Sequence, residues 1–340
     1  MKKHYSLIFK ACIVYCLLSS NIVFAQNETD SLSTNRYIEK FDDYFSARLS
    51  LSNGFQSFDV HDRDDNLRFK ITPNQQTRST ATFMFRFIEI DLGYTPTFLK
   101  FNKDDDLKGK TKNFTFGTRF YLKKWMQNLQ YMSTKGYYVE GRRLGLDDNI
   151  FFSDLKVVKI GGSTSYVFNP NYSFRATYTQ NEWQKKSAGS FVPSVNYYYT
   201  KISNNDNSAD HNIDIAAGPA YYYNLILYDR FLISAGVYGG VGYNSITTNY
   251  NDGTPTEKSS GISWQAQYRA AVGYNYNQFY TGANINFNSF YYNSGPGTKL
   301  ADQQHYFEFY IGYRFTATQK IVKEFNEAIN IREKSVYNKS

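Results

Sequence analysis

From 262 to 276 the chain alternates without a break. Ile262, Trp264, Ala266, Tyr268, Ala270, Val272, Tyr274 and Tyr276 share one parity, while Ser263, Gln265, Gln267, Arg269, Ala271, Gly273 and Asn275 share the other. A strand turns successive side chains to opposite faces, so this stretch carries one apolar and one polar face along its whole length. After Asn277-Gln278 the pattern resumes with Phe279, Thr281, Ala283, Ile285 and Phe287 against Gly282, Asn284, Asn286 and Asn288, which reads as an antiparallel hairpin. At ~3.3 Å per residue the first arm exceeds the roughly nine to eleven residues that a tilted strand needs to cross a bilayer. A soluble sandwich would hide the apolar face in a second sheet, and its strands are commonly about five or six residues long. The length of the alternation therefore points to lipid.

Composition agrees. Aromatic residues make up 19% of the chain, yet its mean hydropathy is −0.55. In a membrane barrel only alternate residues meet lipid, so the average stays polar. Alternating segments also occupy 45–58, 79–87, 88–98, 112–122, 127–139, 156–168, 172–182, 190–201, 212–224, 231–243 and 306–315, which makes thirteen with the two above. A closed up-and-down barrel with both termini on one side needs an even number, so we expect twelve, with fourteen as the alternative and the discrepancy near 183–212. Tight connections are expected at Phe87-Ile88, Asn169-Pro170-Asn171 and Tyr228-Asp229-Arg230, with long polar loops at 99–111, 140–155, 202–211, 244–261 and 291–304. Short periplasmic turns and long outer loops are the usual asymmetry of bacterial barrels.

The first residues read as an export signal. Lys2 and Lys3 precede an apolar run from Leu7 to Leu18, and Val23-Phe24-Ala25 ends in a small residue, so cleavage is expected after Ala25. The two cysteines, Cys12 and Cys16, would leave with it, and the mature chain would have no thiol, disulfide or cysteine metal site. Loss of Lys2, Lys3 and Lys10 lowers the formal net charge from +8 to +5. No basic and aromatic cluster of the kind that binds nucleic acid is present.

In phase with the polar face lie Arg48, Arg86, Glu89, Asp91, Arg119, Lys159, Arg175, Arg269, Glu308 and Arg314, which are expected to line the lumen. They could pair across a filled interior or line a water-filled pore. At about twelve strands the lumen is narrow enough for side chains and an inward loop to occlude it. The histidines His61, His211 and His305 lack a serine or carboxylate pattern diagnostic of catalysis, and no cofactor or metal site is called for. The loop from Lys103 to Asp106 reads as a solvated tip, and Gly109-Lys110-Thr111 lacks the leading glycine of a phosphate loop.

The last segment, Tyr306 to Phe315, sets Phe307, Phe309, Ile311, Tyr313 and Phe315 on one face. This resembles the final-strand signal read by the barrel-assembly machinery, although residues 316–340 follow it. In that tail Ile321, Val322, Phe325, Ala328 and Ile329 fall on one face of a helix, which could plug the barrel, brace its rim or bind a partner.

The stretch Asn171 to Val192 contains Ser173-Phe174-Arg175, then Gln180 and Gln184, then Ser187-Ala188-Gly189-Ser190. It resembles the most recognisable block of an exported Bacteroidota family known as domain of unknown function 4421. Lys108-Gly109-Lys110-Thr111, Lys135-Gly136-Tyr137-Tyr138 and Asp154-Leu155 resemble further landmarks, and the likeness covers roughly 40 to 315. The resemblance implies an outer-membrane barrel and supplies no catalytic residue, cofactor or substrate. The small residues 187–190 suit either a close backbone approach, such as a loop folded into the lumen, or a tight turn.

The reading is an all-β fold: an up-and-down antiparallel transmembrane β-barrel with a C-terminal amphipathic helix in a Gram-negative outer membrane. Its divisions are a signal peptide 1–25, a periplasmic segment 26–43, the barrel 44–315 and a periplasmic tail 316–340. Expected partners are outer-membrane lipid and lipopolysaccharide, the barrel-assembly machinery and an envelope component engaged by the loops or tail. A structural or binding barrel leads, a small-solute channel is the alternative, and a lipid-modifying enzyme comes third.

Overall fold

The computed structural model describes residues 37–41, 43–62, 67–86, 88–96, 98, 102, 105–178, 182–204, 208–293 and 298–327. The expected signal peptide, Gln180, Ala328 and Ile329 lie outside them. Among the described residues seventeen strands form, from β1 (Ile38–Lys40), β2 (Tyr44–Asp62), β3 (Leu67–Thr72), β4 (Thr77–Phe85) and β5 (Ile88–Tyr94) to β6 (Lys112–Leu122), β7 (Trp125–Val139) and β8 (Ile150–Tyr166). They continue as β9 (Glu182–Gln184), β10 (Ala188–Phe191), β11 (Ser194–Asn204), β12 (Ser208–Gly218), β13 (Ala220–Leu227), β14 (Phe231–Tyr250), β15 (Glu257–Tyr276), β16 (Phe279–Asn293) and β17 (Thr298–Thr316).

A closed antiparallel ring runs β2-β4-β5-β6-β7-β8-β11-β12-β14-β15-β16-β17 and back to β2, so twelve strands make the barrel. β10 and β13 are not extra wall strands. β11 pairs β12 as Ser194↔Gly218 and β10 pairs β13 as Phe191↔Tyr221, a single register that sets Pro193 opposite Pro219. Proline has no N–H to give, so the ladder breaks at both prolines and each long strand becomes two. Their carbonyls still accept, from Tyr166 N at 3.1 Å and from Gly239 N at 3.1 Å.

The surplus expected segment, 172–182, is not a strand over the described residues 172–178, and it lies just before the region where the error was expected. Asn169-Pro170-Asn171 is likewise not a tight connection. Asn171 N donates to Asn169 Oδ1 at 3.0 Å, and Ser173 Oγ accepts from Ala176 N at 2.9 Å. These side chains cap and turn the backbone, competing with a ladder, and a short helix follows at Arg175–Tyr178.

Among the described residues, the five non-glycine residues with positive φ sit in the short turns at the end that carries Tyr44 and Thr316, here the terminal end: Arg86, Lys123, Tyr228, Asp229 and Asn277. Two-residue hairpins need left-handed backbone to match strand twist. At the far end the expected long loops at 202–211, 244–261 and 291–304 are mostly ladder: β14 runs to Tyr250 and β15 starts at Glu257. Backbone pairing continues past the apolar stretch because it does not depend on side-chain polarity. β3 pairs both β2 and β7, bridging above the shorter β4, β5 and β6.

The outer wall is apolar. Leu49, Leu92, Phe114, Ile213, Val237, Trp264 and Phe309 are all exposed, as are Phe307, Ile311, Tyr313 and Phe315 of the final strand. On β14 the outward set runs from Phe231 to Tyr243 and then changes to Ser245 and Thr247. Twelve steps of ~3.3 Å at a tilt of roughly 40° project to about 30 Å, the height of a hydrocarbon core with its aromatic margins.

Candidate functional site

Inside the barrel the residues stack in four layers. At the terminal end, residues 169–178 and 182–184 fold into the lumen as a plug. Tyr172, Ser173, Phe174, Ala176 and Thr177 are buried, and Tyr172 and Phe174 pack with Met126, Ala188, Val192, Ala220, Tyr222 and Tyr238. Phe174 meets the Tyr222 ring edge-on at 4.9 Å. Asn224 on β13 is the polar anchor: its Nδ2 donates to Ser173 O at 3.1 Å and Gln184 Oε1 at 2.8 Å, and its Oδ1 accepts from Thr177 at 3.2 Å. Arg175 pairs with Glu182 at 3.1 Å and lies over Tyr121 at 5.3 Å. Arg175 therefore does enter the lumen, but on the plug and not on a wall strand.

The family-like block accordingly splits in two. Ser173, Arg175 and Gln184 belong to the plug, whereas Ala188, Gly189 and Ser190 are wall strand β10. The close approach expected at 187–190 comes from side chains, because a Cβ on Gly189 would lie 2.5 Å from the Tyr221 hydroxyl and 2.7 Å from the Tyr223 ring. Ser187 Oγ accepts from Ile226 N at 2.9 Å and pins the strand's entry.

Above the plug lies a charged layer. Arg48 is buried within 3.6 Å of Glu89, 3.8 Å of Asp91 and 3.7 Å of Glu308, and Arg119 bonds Glu89 at 2.7 Å and Asp91 at 3.4 Å. Arg269 donates to Asn286 at 2.6 Å, and Asn284 donates to Glu308 at 3.0 Å. A cavity of about 40 Å³ remains, lined by Arg48, Asp91, Arg119, Arg269, Glu308 and plug residue Thr177 among others. Arg48 and Arg119 are thus neutralised by Glu89, Asp91 and Glu308, while Arg78, on the inward face of β4, donates to Thr115.

The third layer holds Lys159, fully buried. Its Nζ donates to Asp302 at 2.8 Å and lies 3.9 Å from the Phe290 ring centre and 4.7 Å from that of Tyr198. Gln56 donates to the same carboxylate oxygen at 2.8 Å. Nearby Asp214 accepts from Ser263 at 2.6 Å and from Gln265, which also accepts from Asn196 at 2.8 Å. The fourth layer, at the far end, is apolar: Phe58, Tyr137 and Val157 pack with Ile71, Phe152, Leu155, Ile202 and Leu300.

Two of the ten expected lumen charges sit elsewhere in function. Arg86 is in the turn after β4 and not in the lumen. Its left-handed backbone turns it outward, where it pairs with Asp43 at 3.5 Å, donates to Asn326 at 2.6 Å and lies 5.1 Å from the Phe325 ring. Arg314 is inside but serves the floor, held between Phe41 at 4.2 Å and Tyr280 at 4.6 Å while donating to Asn275 at 2.6 Å. The tail, helical over 319–327 among the described residues, thus braces the rim through Phe325 against Phe85 at 5.2 Å. Ile321 of its expected apolar face stays exposed.

Sequence reasoning missed Asp302, Asp214, Gln56 and Asn224. Asp302 is in phase with Glu308, and extending the last strand backward through Gln304 would have found it. The other landmarks meet at the far end: a Cβ on Gly136, whose φ is +93, would fall 2.1 Å from Lys110 O, and Thr111 Oγ1 donates to Gly136 O at 2.8 Å. His211 Nδ1 contacts the Tyr199 hydroxyl at 2.6 Å. His305 is mid-strand on the outer face, stacked on Phe55 at 4.8 Å and edge-on to Phe287 at 5.4 Å. His61 lines a far-end cleft with Asp59, Arg68, Lys70 and Arg143.

Solved structures share the barrel form at low identity. The outer membrane protease OmpT from Escherichia coli aligns at 8% identity over 85% of this chain and 100% of its own, with a TM-score of 0.39. The COG4313 outer membrane channel from Pseudomonas putida F1 aligns at 10% over 85% and 100%, with a TM-score of 0.38. The Pseudomonas putida toluene transporter TodX aligns at 7% over 80% and 89%, with a TM-score of 0.30. Likenesses this remote carry no functional inference. No curated protein matches the sequence. Residues 28–315 match the family described as Domain of unknown function (DUF4421), and the chain belongs to that family.

Proposed function

We propose that this protein is an integral barrel of a Gram-negative outer membrane whose lumen is closed at rest. It works by binding or bracing an envelope component at its rims and carries no catalytic centre. The observation that supports this reading is the layering: a packed plug and an apolar cap enclose two polar layers in which Arg48 and Arg119 pair with Glu89, Asp91 and Glu308, and Lys159 pairs with Asp302. A pore needs continuous hydrated space, and here Lys159, Arg48 and Glu89 are almost wholly buried. The apolar outer wall takes lipid, with lipopolysaccharide around its far margin, and the outward aromatics of β17 suit the barrel-assembly machinery. Against an enzyme stands the engagement of His211 by Tyr199 and the packing of His305 between two phenylalanines, both on the outer face.

Planar-bilayer recording of the refolded mature protein tests the proposal. A folded, electrically silent barrel is expected, and steady single-channel steps overturn it. The small-solute channel remains a second reading because a wall of the central cavity is formed by Thr177, a residue of the plug itself.

A further inference from the structure

We propose that residues 37–41 are a latch on the plug, so that access to the central cavity from the terminal end is governed by the segment preceding the first barrel strand. The inference rests on the closed-lumen reading above. β1 pairs antiparallel with β9 as Ile38↔Gln184, Glu39↔Trp183 and Lys40↔Glu182. Lys185 N donates to Tyr37 O at 2.7 Å. Hydrogen-bonded pairs alternate along an antiparallel ladder, so 37/185 and 39/183 carry the backbone bonds, while 38/184 and 40/182 bring side chains close.

β9 is the strand that holds the plug together. Gln184 Oε1 accepts from Ser173 N at 3.1 Å and from Asn224 at 2.8 Å, and its Nε2 donates to Asn171 O at 3.1 Å and Lys186 O at 3.0 Å. Glu182 accepts from Ser173 Oγ and from Arg175. The latch thus pairs with the segment whose side chains gather the plug. Outside the ladder, Glu39 bonds Lys185 at 2.8 Å, and Ile38 and Phe41 are buried, Phe41 beneath Arg314.

Two features make this contact separable from the wall. The barrel ring begins at Tyr44, paired to Thr316, and uses none of residues 37–41. A three-residue strand pair has no stability of its own, so the latch holds only while Ile38 and Phe41 stay docked. Thr177 walls the central cavity, so a plug that swings out opens that cavity to the terminal end.

The test uses single cysteines, because no cysteine follows Cys16 in the sequence. Ala176→Cys reports on the plug and Thr200→Cys on the Lys159 layer, since Thr200 pairs with Lys159 across the ladder. Each is placed in the refolded mature chain with the latch intact or carrying Ile38→Asp and Glu39→Pro, and a membrane-impermeant maleimide is applied from both sides. Barrel folding is checked by the mobility of the unheated protein on a denaturing gel. Latch disruption is expected to speed labelling of Ala176→Cys by at least ~10-fold, as for a local opening, and to leave Thr200→Cys slow. Equal rates at Ala176→Cys with and without the latch overturn the proposal, and so does acceleration at both positions, which means the wall itself has loosened. Steady conductance by the unaltered chain instead removes the closed-lumen reading, and it is read in a separate experiment.

Discussion

Strand β15 and the plug residues 169–178 both mix aromatic residues with small and polar ones, yet one crosses the barrel and the other folds into it. In β15 the alternation is strict: Trp264, Tyr268, Val272 and Tyr276 face outward and are exposed, while Ser263, Gln265 and Asn275 face inward and are buried. The plug breaks that rule. Tyr172, Ser173 and Phe174 are all buried although their parities differ, because a capped turn has no two-sided pleat. The wall is therefore specified by period and backbone pairing, and the plug by particular side-chain bonds to Gln184, Glu182 and Asn224. A change in the wall should act on the whole barrel, whereas a change in the plug should act locally.

The largest effect is expected at Arg48, where the wall meets the cavity. Arg48→Met leaves Glu89, Asp91 and Glu308 with one cation fewer in a buried layer. Breaking a buried ionic group by removing one partner costs about 3–5 kcal/mol, because the stranded charge keeps its desolvation penalty. Urea titration of the barrel in lipid vesicles, followed by tryptophan fluorescence, measures it. A loss below ~1 kcal/mol, the range of exposed pairs, would mean that the layer is hydrated and the lumen more open than the layering implies. Adding Glu308→Gln should restore part of the loss, since the two sites share one network.

The next contrast lies along one face of β14. Val237 and Thr247 both point outward, the first within the apolar wall and the second above it. Val237→Arg should cost about 2–4 kcal/mol as a charge placed in hydrocarbon, and Thr247→Arg about 0–1 kcal/mol. Equal costs at the two depths would remove the assignment of the membrane margin at Tyr243. The same titration reads both.

Asn224→Ala separates wall from plug. It removes the group that meets Thr177, Ser173 and Gln184 and leaves their polar atoms buried, a loss of about 1–3 kcal/mol confined to plug docking. Labelling of Ala176→Cys should quicken while the urea midpoint of the barrel stays fixed. A midpoint that falls in step with labelling would show that plug and wall unfold as one unit.

This contrast also explains what could be read in advance. Alternation located the wall and its outward residues because every second side chain answers to one environment over a long strand. It overran at 172–182, where Tyr172, Phe174 and Ala176 mimic a strand's parity although Asn169-Pro170-Asn171 and the capping Ser173 dictate a turn and a helix. It stopped short at Asp302, because from Asp302 through Gln303 and Gln304 to His305 residues of both faces are polar and period 2 leaves no trace. Arg86 was placed in the lumen by parity, but a strand's phase does not survive the left-handed turn that follows Phe85. Partners brought together from distant positions, such as Asn224 with Ser173 or Gly136 with Lys110, leave no periodic signal.

The smallest effect is expected in the tail. Phe325 meets Phe85 edge-on at 5.2 Å, and Arg86 lies against both rings while donating to Asn326. An aromatic pair of this kind contributes about 0.5–1.5 kcal/mol beyond its buried area, and the partly exposed rim limits that area. Phe325→Ala should therefore shift barrel stability by about 1 kcal/mol or less and chiefly free the helix from the rim, which a spin label at Lys323→Cys reports as faster motion. The rim helix and the plug are both terminal-end additions to the wall, but only the plug contributes residues to the lumen. The Phe325→Ala chain should accordingly stay electrically silent and leave Ala176→Cys labelling unchanged. Faster labelling there would make the tail a second latch, coupled to the plug through Asp43, whose carbonyl accepts from Ala317 N at 2.8 Å just after the N-terminal strand.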